Sequence, residues 1–291
     1  MKIKQTRSDR TLDAINAVIL VICCFITLYP MYLVAISSIS GGTFVARGEV
    51  SFWPKGITLS SYKVLMHDRY FSISMLNTLY YTVLYTAVSL FMSVLCAYPL
   101  SIKSFSGRRV IMKFITITMF LTGGMIPSYL VVKSLGLLDS VWALVLPGAI
   151  STYNMIIIRS FFEGIPAELR ESAFIDGAND IVMLFKITLP LSLPVLATMT
   201  LFYATGMWNS YFSALLYISE KGRYPVQLIL RNMLIDDQMG EEYANIVSDT
   251  DIVPLTLKYA SIMISTLPIL LVYPFVQRYF VKGTLVGSIK G

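Results

Sequence analysis

The sequence predicts an all-α integral membrane protein of six transmembrane helices with both termini inside. Three observations carry that reading: an apolar composition poor in charge, six long windows without an ionisable side chain, and an uneven distribution of Lys and Arg between them. Of the 291 residues, 56% are hydrophobic and 14% charged, and mean hydropathy is +0.69, whereas an ordinary soluble domain is about 25% charged. The 23 basic and 17 acidic side chains are too few to cover a soluble core of this size. That excludes a disordered chain and argues against a soluble enzyme. The net charge of +6 does not point to nucleic acid, because the basic residues fall between apolar runs rather than on one solvated face. Cys23, Cys24 and Cys96 lie in apolar stretches and read as buried thiols, not as a disulfide framework or metal site.

Charge-free windows run over residues 14–46, 70–102, 114–132, 140–158, 187–219 and 259–277. An ionisable group at the bilayer centre is costly, and a helix needs about 20 apolar residues to cross roughly 30 Å of hydrocarbon. Trimmed at Gly, Ser and Pro clusters, the windows give spans near 14–37, 77–101, 112–132, 139–160, 192–217 and 258–280, in one membrane domain covering 1–291. The first follows Lys2, Lys4, Arg7 and Arg10 and exceeds the roughly 7–15 apolar residues of a signal peptide, so it reads as an uncleaved anchor. Residues 7–16 read either as a short surface helix or as a solvated lead-in. With both termini inside, the internal segments carry 14 Lys and Arg against 7 acids, and the external ones 9 against 10. This asymmetry favours a multi-pass protein with both termini inside.

Two external segments are long. The first, about 40–76, holds a Trp53-Pro54 turn and the single His67, read as a plain loop residue. The second, about 218–257, carries Asp236, Asp237, Glu241, Glu242, Asp249 and Asp251. Pro30, Pro99, Pro127, Pro147, Pro194, Pro268 and Pro274 lie in or beside the spans, where each removes a backbone hydrogen bond and permits a kink.

Missing chemistry narrows the function. No ionisable residue sits mid-span, which argues against proton coupling but leaves sodium sites built from carbonyls and hydroxyls open. No Gly-Lys pair occurs, so the phosphate-cradling loop of an ATPase is absent; there is no G-x-S-x-G turn and no His cluster. The chain therefore reads as a non-enzyme.

One internal loop, 160–190, is too long for a turn and reads FFEGIPAELRESAFIDGANDIVMLFKITLP from Phe161. Pro166 suits a first helical position, Glu168 and Glu171 suit the positive end of the helix dipole, and Gly177 suits a left-handed stop. A second helical stretch runs from about Asn179 to Leu189 and ends at Pro190. Leu169, Ala173 and either Asp176 or Gly177 share a face, and Ser172, Ala173 and Gly177 are small enough for another backbone to approach. Such a helix fits a partner's groove; a membrane-surface helix without a partner is the alternative.

From Glu171 the loop reads E-S-A-F-I-D-G-A, followed by Ile187 and Leu189-Pro190. This resembles the E-A-A-x-x-x-G loop of binding-protein-dependent ABC importer permeases, and specifically E-x-A-x-x-D-G-A of their carbohydrate-uptake branch. Ser172 departs from the usual Ala. The tail from Tyr273 to Gly283, with Gly287 to Gly291, looks like the end of maltose-permease-G-like subunits, and Leu121 to Pro127, LTGGMIP, is similar to the oligosaccharide and polysaccharide subgroup. The resemblance implies a type I ABC importer permease fold and a subunit forming half of a heterodimeric pore. It also implies a second homologous permease, two cytoplasmic ATPase subunits, an extracytoplasmic solute-binding protein and a carbohydrate substrate, with no nucleic acid partner. It assigns no cofactor to this chain, placing ATP and Mg on the ATPase subunits. Glu168, Glu171, Ser172, Ala173, Asp176, Gly177, Ala178 and Pro190 become the ATPase-coupling residues by the same resemblance.

Sugars are held by aromatic stacking and by hydroxyl or amide hydrogen bonds. Tyr203, Trp208, Asn209, Tyr211 and Phe212 near the fifth span, with Tyr153 and Asn154 in the fourth, are the pathway candidates; interfacial anchoring is the competing reading of such aromatics. A peptide or amino-acid permease of the same machine, a secondary carrier and a scaffold remain as alternatives.

Overall fold

The computed structural model describes the backbone of residues 7–235 and 253–288 and the side chains of 11–235, 253–272 and 274. Every regular element among them is helical. The acids Asp236, Asp237, Glu241, Glu242, Asp249 and Asp251 lie outside the described residues, as do the tail side chains beyond Pro274. Contacts divide the chain into two compact units, Met1–Arg69 with Asn232–Thr266 and Tyr70–Arg231 with Leu267–Gly291.

In the first unit, α1 (Arg7–Ser38) carries no charged residue from Ala14 on, and Leu20, Val21, Phe25, Ile26 and Leu28 are exposed. Only 6% of its most apolar window is covered by the chain, and its length and composition suffice to cross a membrane. For the same reason Cys23 and Cys24, expected to be buried, are exposed free thiols on this helix. Its last turns are covered: Ile36 packs with Val45 and Val50, and Leu33, Phe44 and Tyr259 close around them. The following segment includes α2 (Gly42–Ala46) and α3 (Ser60–His67), helices within the stretch expected as loop. It is stitched back by Gly41 N–H to Lys55 O (2.9 Å) and Thr58 N–H to Ile39 O (3.0 Å). Gly56 has φ +59°, and a Cβ there would lie 2.8 Å from the Phe44 ring, so both backbone and packing require glycine. Trp53 is 78% exposed, and His67 only caps its own helix through Lys63 O (2.8 Å).

In the second unit, α4 (Arg69–Ser101) shows why a membrane helix escapes amphipathic analysis. Ser74, Thr78, Thr82, Thr86, Ser89 and Ser93, three or four residues apart, are all buried, while Leu76, Leu79, Val83 and Phe91 face outward. The inward stripe is small and hydroxylated because, with lipid outside, close backbone approach rather than apolarity selects the packing face.

The stretches expected as the third and fourth spans are each two helices. Residues 112–132 divide into α5 (Arg108–Ile117) and α6 (Met125–Ser134), and 139–160 into α7 (Val141–Val145) and α8 (Thr152–Glu163). The first break contains Gly123 and Gly124, the latter at φ +84°; the second contains Pro147 and Gly148. Apolar, uncharged sequence does not betray such breaks, because composition reports burial and not backbone continuity. The expected fifth span is α11 (Leu193–Trp208) and α12 (Phe212–Tyr217), interrupted after Asn209. Beyond it come α13 (Val226–Ile235) and α14 (Pro254–Ser288), the latter covering the sixth. Among the described residues, three helices are long and apolar enough to cross a membrane, within Thr11–Ser38, Arg69–Ser101 and Pro254–Val272, and a fourth if α11 joins the helix before it across an 82° bend.

Candidate functional site

The 161–190 loop folds as two helices, α9 (Ala167–Ile175) and α10 (Asp180–Leu191). Pro166 is the cap residue before α9, with ψ 134°, one position earlier than expected. Its missing N–H is harmless in either place, since the first helical donors have no partner in the helix. Gly177 stops α9 as foreseen, at φ +82°. Its N–H donates to Phe174 O (3.0 Å) and that of Ala178 to Ala173 O (2.9 Å), the paired bonds of a glycine-capped helix end. A Cβ on Gly177 would meet no atom within 4 Å, so backbone conformation alone demands glycine here. Pro190 does not end the second helix. Met183–Thr188 is wound as a π-turn and Pro190 sits in the short α-helical turn after it, where its absent donor is not needed. The chain turns instead at Ser192.

The face of α9 differs from the expected one. Ala173 is 7% exposed and belongs to the core of this chain, with Val94, Ala97, Met155, Ile158, Phe162 and Met183. A small residue at that point lets the α9 backbone approach the core, so its size serves packing within this chain. The outward positions, at i, i+3, i+4 and i+7, are Glu168, Glu171, Ser172 and Ile175. Ile175 is 86% exposed between acids; sequence inspection passed over it because a lone Ile reads as core. Asp176, Gly177 and Pro190 are exposed, and Ala178 is half-buried.

Two polar clusters brace this loop. Arg170 pairs with Asp180 (3.2 Å) and lies over the rings of Phe174 (5.5 Å) and Tyr98 (6.0 Å), while the Tyr98 hydroxyl donates to Asp180 (3.4 Å). At the end of α8, Glu163 accepts from Arg108 and Arg159, both at 2.8 Å, and Arg159 Nε also donates to Leu100 O (2.9 Å). These bonds tie the last turn of α4, the first of α5 and the last of α8 together. A cleft of about 710 Å³ opens between the end of α4, the 102–105 turn, α9 and α10.

The pathway candidates divide by burial. Tyr203 is 2% exposed and acts as a bracket: its hydroxyl bonds Ser93 Oγ (2.6 Å) and accepts from Ser151 N–H (3.3 Å), with Tyr85 edge-on at 6.0 Å. Trp208 and Asn154 are also buried. Tyr153, Asn209, Tyr211 and Phe212 are exposed beside helix breaks, and Tyr211 and Phe212 meet edge to face at 6.5 Å.

The family described as "Binding-protein-dependent transport system inner membrane component" matches residues 5–286. This chain belongs to that family. It is 42% identical over 286 residues to Protein LplC of Bacillus subtilis (strain 168), covering 98% of this chain and 97% of that one. It is 42% identical over 284 residues to the polygalacturonan/rhamnogalacturonan transport system permease protein YtcP of the same organism, covering 97% and 99%. A chain in the crystal structure of a bacterial ABC transporter involved in the import of the acidic polysaccharide alginate superimposes with TM-score 0.91 at 38% identity, over 96% of this chain and all of that one. The all-helical architecture is thus that of an ABC importer permease, and family membership makes this an inner-membrane component of a transport system.

Proposed function

We propose that this chain is one permease subunit of an ATP-driven importer that carries an oligosaccharide across the bacterial cytoplasmic membrane. The observation that carries the reading is α9: a glycine-capped helix anchored inward by Ala173 and by the Arg170, Asp180 and Tyr98 cluster, with Glu168, Glu171, Ser172 and Ile175 on its exposed face. Family membership supplies the transport context. In this reading an ATPase subunit, holding ATP and Mg, docks on that face, and a second permease completes the pore. A solute-binding protein delivers the sugar from outside. Two similar proteins are named for acidic polysaccharides or their transport, which makes uronate-bearing oligosaccharides the first cargo to test.

Six crossings with both termini inside fit the charge asymmetry, with the pairs α5/α6 and α7/α8 and the bent pair α10/α11 each serving as a broken crossing. Irregular backbone at membrane depth is tolerated only where it is buried in protein or lines a water-filled cavity. The breaks at 118–124, 146–151 and 209–211 therefore mark the path, with Tyr153, Asn209, Tyr211 and Phe212 as its exposed side chains. The test of docking is a mild-detergent pull-down of the tagged chain beside the variant Glu171→Lys with Ile175→Asp. We expect the wild type to recover a second permease and an ATPase, and the variant to lose the ATPase only. Undiminished ATPase recovery by the variant would overturn the docking face.

A further inference from the structure

We propose that a second cleft in this chain holds the head group of an anionic phospholipid. The cleft, about 570 Å³, lies along α5 and is lined at one end by Arg108, Arg109, Lys113 and Arg159. Glu163 is the single carboxylate paired with Arg108 and Arg159. Among the described residues no carboxylate pairs with Arg109 or Lys113, and both are exposed. Four cations thus face one acid, an excess that calls for anionic charge from outside the chain.

The rest of the lining selects a lipid over a soluble anion. Past Lys113 the lining is Thr116, Ile117 and Phe120, with Met112 on the same wall, and Phe120 is 79% exposed. The cleft therefore changes from cationic at Lys113 to apolar at Ile117 and Phe120, the last of these lying just past the end of α5. That polarity matches an amphiphile with an acidic head and an acyl chain. A sugar or free phosphate is polar throughout and leaves the Phe120 end uncovered. Basic pockets beside membrane helices at the inner face are known to take acidic lipid head groups. The inner-leaflet position rests on the orientation proposed above; the binding itself does not.

The test uses the purified full chain in mixed micelles holding equal amounts of phosphatidylglycerol and phosphatidylcholine, with retained lipid counted by native mass spectrometry. The wild type should retain phosphatidylglycerol at least tenfold over phosphatidylcholine, and less so as salt rises. Arg109→Gln with Lys113→Gln should weaken retention by roughly thirty-fold, at about 1 kcal/mol per basic residue near an anionic surface. Lys133→Gln, which removes a cation outside the cleft, should change nothing, and Phe120→Ser should weaken lipid retention. Should the double variant fail to fold, the head-group preference and salt dependence of the wild type decide the matter. Equal retention of the two lipids overturns the proposal. So does displacement by millimolar inorganic phosphate, which would show a soluble-anion site. Loss of the preference once the partner permease is co-purified also overturns it, because the partner and not a lipid would then fill the cleft.

Discussion

Gly177 and Ile175 sit two residues apart and have opposite requirements. Gly177 is held at φ +82° with empty space around its missing Cβ, so its need is local and conformational. Left-handed backbone costs an ordinary residue about 1–2 kcal/mol, while Asn and Asp tolerate it. Gly177→Val should therefore lower the unfolding midpoint in detergent, and Gly177→Asn should leave it near wild type. An aspartate at this position tests charge with little backbone strain, whereas valine mixes bulk with strain. Ile175, at 86% exposure, contributes little to the fold of this chain. Ile175→Ser should shift stability by no more than about 0.5 kcal/mol, yet reduce ATPase activity stimulated by the loaded binding protein. A large loss of stability would show that Ile175 packs within its own subunit.

The elements are held by a few polar nodes more than by continuous helix. Glu163 joins Arg108 of α5 and Arg159 of α8, with side chains only 20% and 15% exposed. Glu163→Gln removes the charge between them and leaves two half-buried guanidinium groups unpaired. We expect a loss of about 3 kcal/mol, read as a lower melting temperature, and substantial recovery when both arginines are also replaced by methionine. Tyr203 plays the same part higher in the unit. Tyr203→Phe leaves the buried Ser93 Oγ without its partner and the Ser151 N–H without its acceptor. The expected cost is about 1–3 kcal/mol, with oligosaccharide uptake retained at temperatures where the variant is folded.

For the whole molecule, the pathway residues should separate into two classes in a transport assay. Alanine at Tyr153, Asn209, Tyr211 or Phe212 should depress uptake of a labelled oligosaccharide at unchanged melting temperature. Alanine at Asn154, Tyr203 or Trp208 should lower stability first, because those side chains are buried. Normal uptake in all four exposed variants would move the path away from the helix breaks.

Composition and charge placement alone were enough to read an integral membrane protein, because burying charge in lipid is expensive and leaves a visible pattern along the chain. The loop motif was legible for a similar reason: the left-handed stop at Gly177 and the acids of the first turns are local requirements written in adjacent residues. Tertiary structure decided the rest. It broke the third and fourth stretches at Gly123-Gly124 and Pro147-Gly148, and it turned Ala173 inward and Ile175 outward. It also brought Glu163 between two arginines from different helices. Each outcome depends on which backbone lies opposite. Side chains that lipid would accept equally well carry no mark in the sequence of the neighbour they will meet.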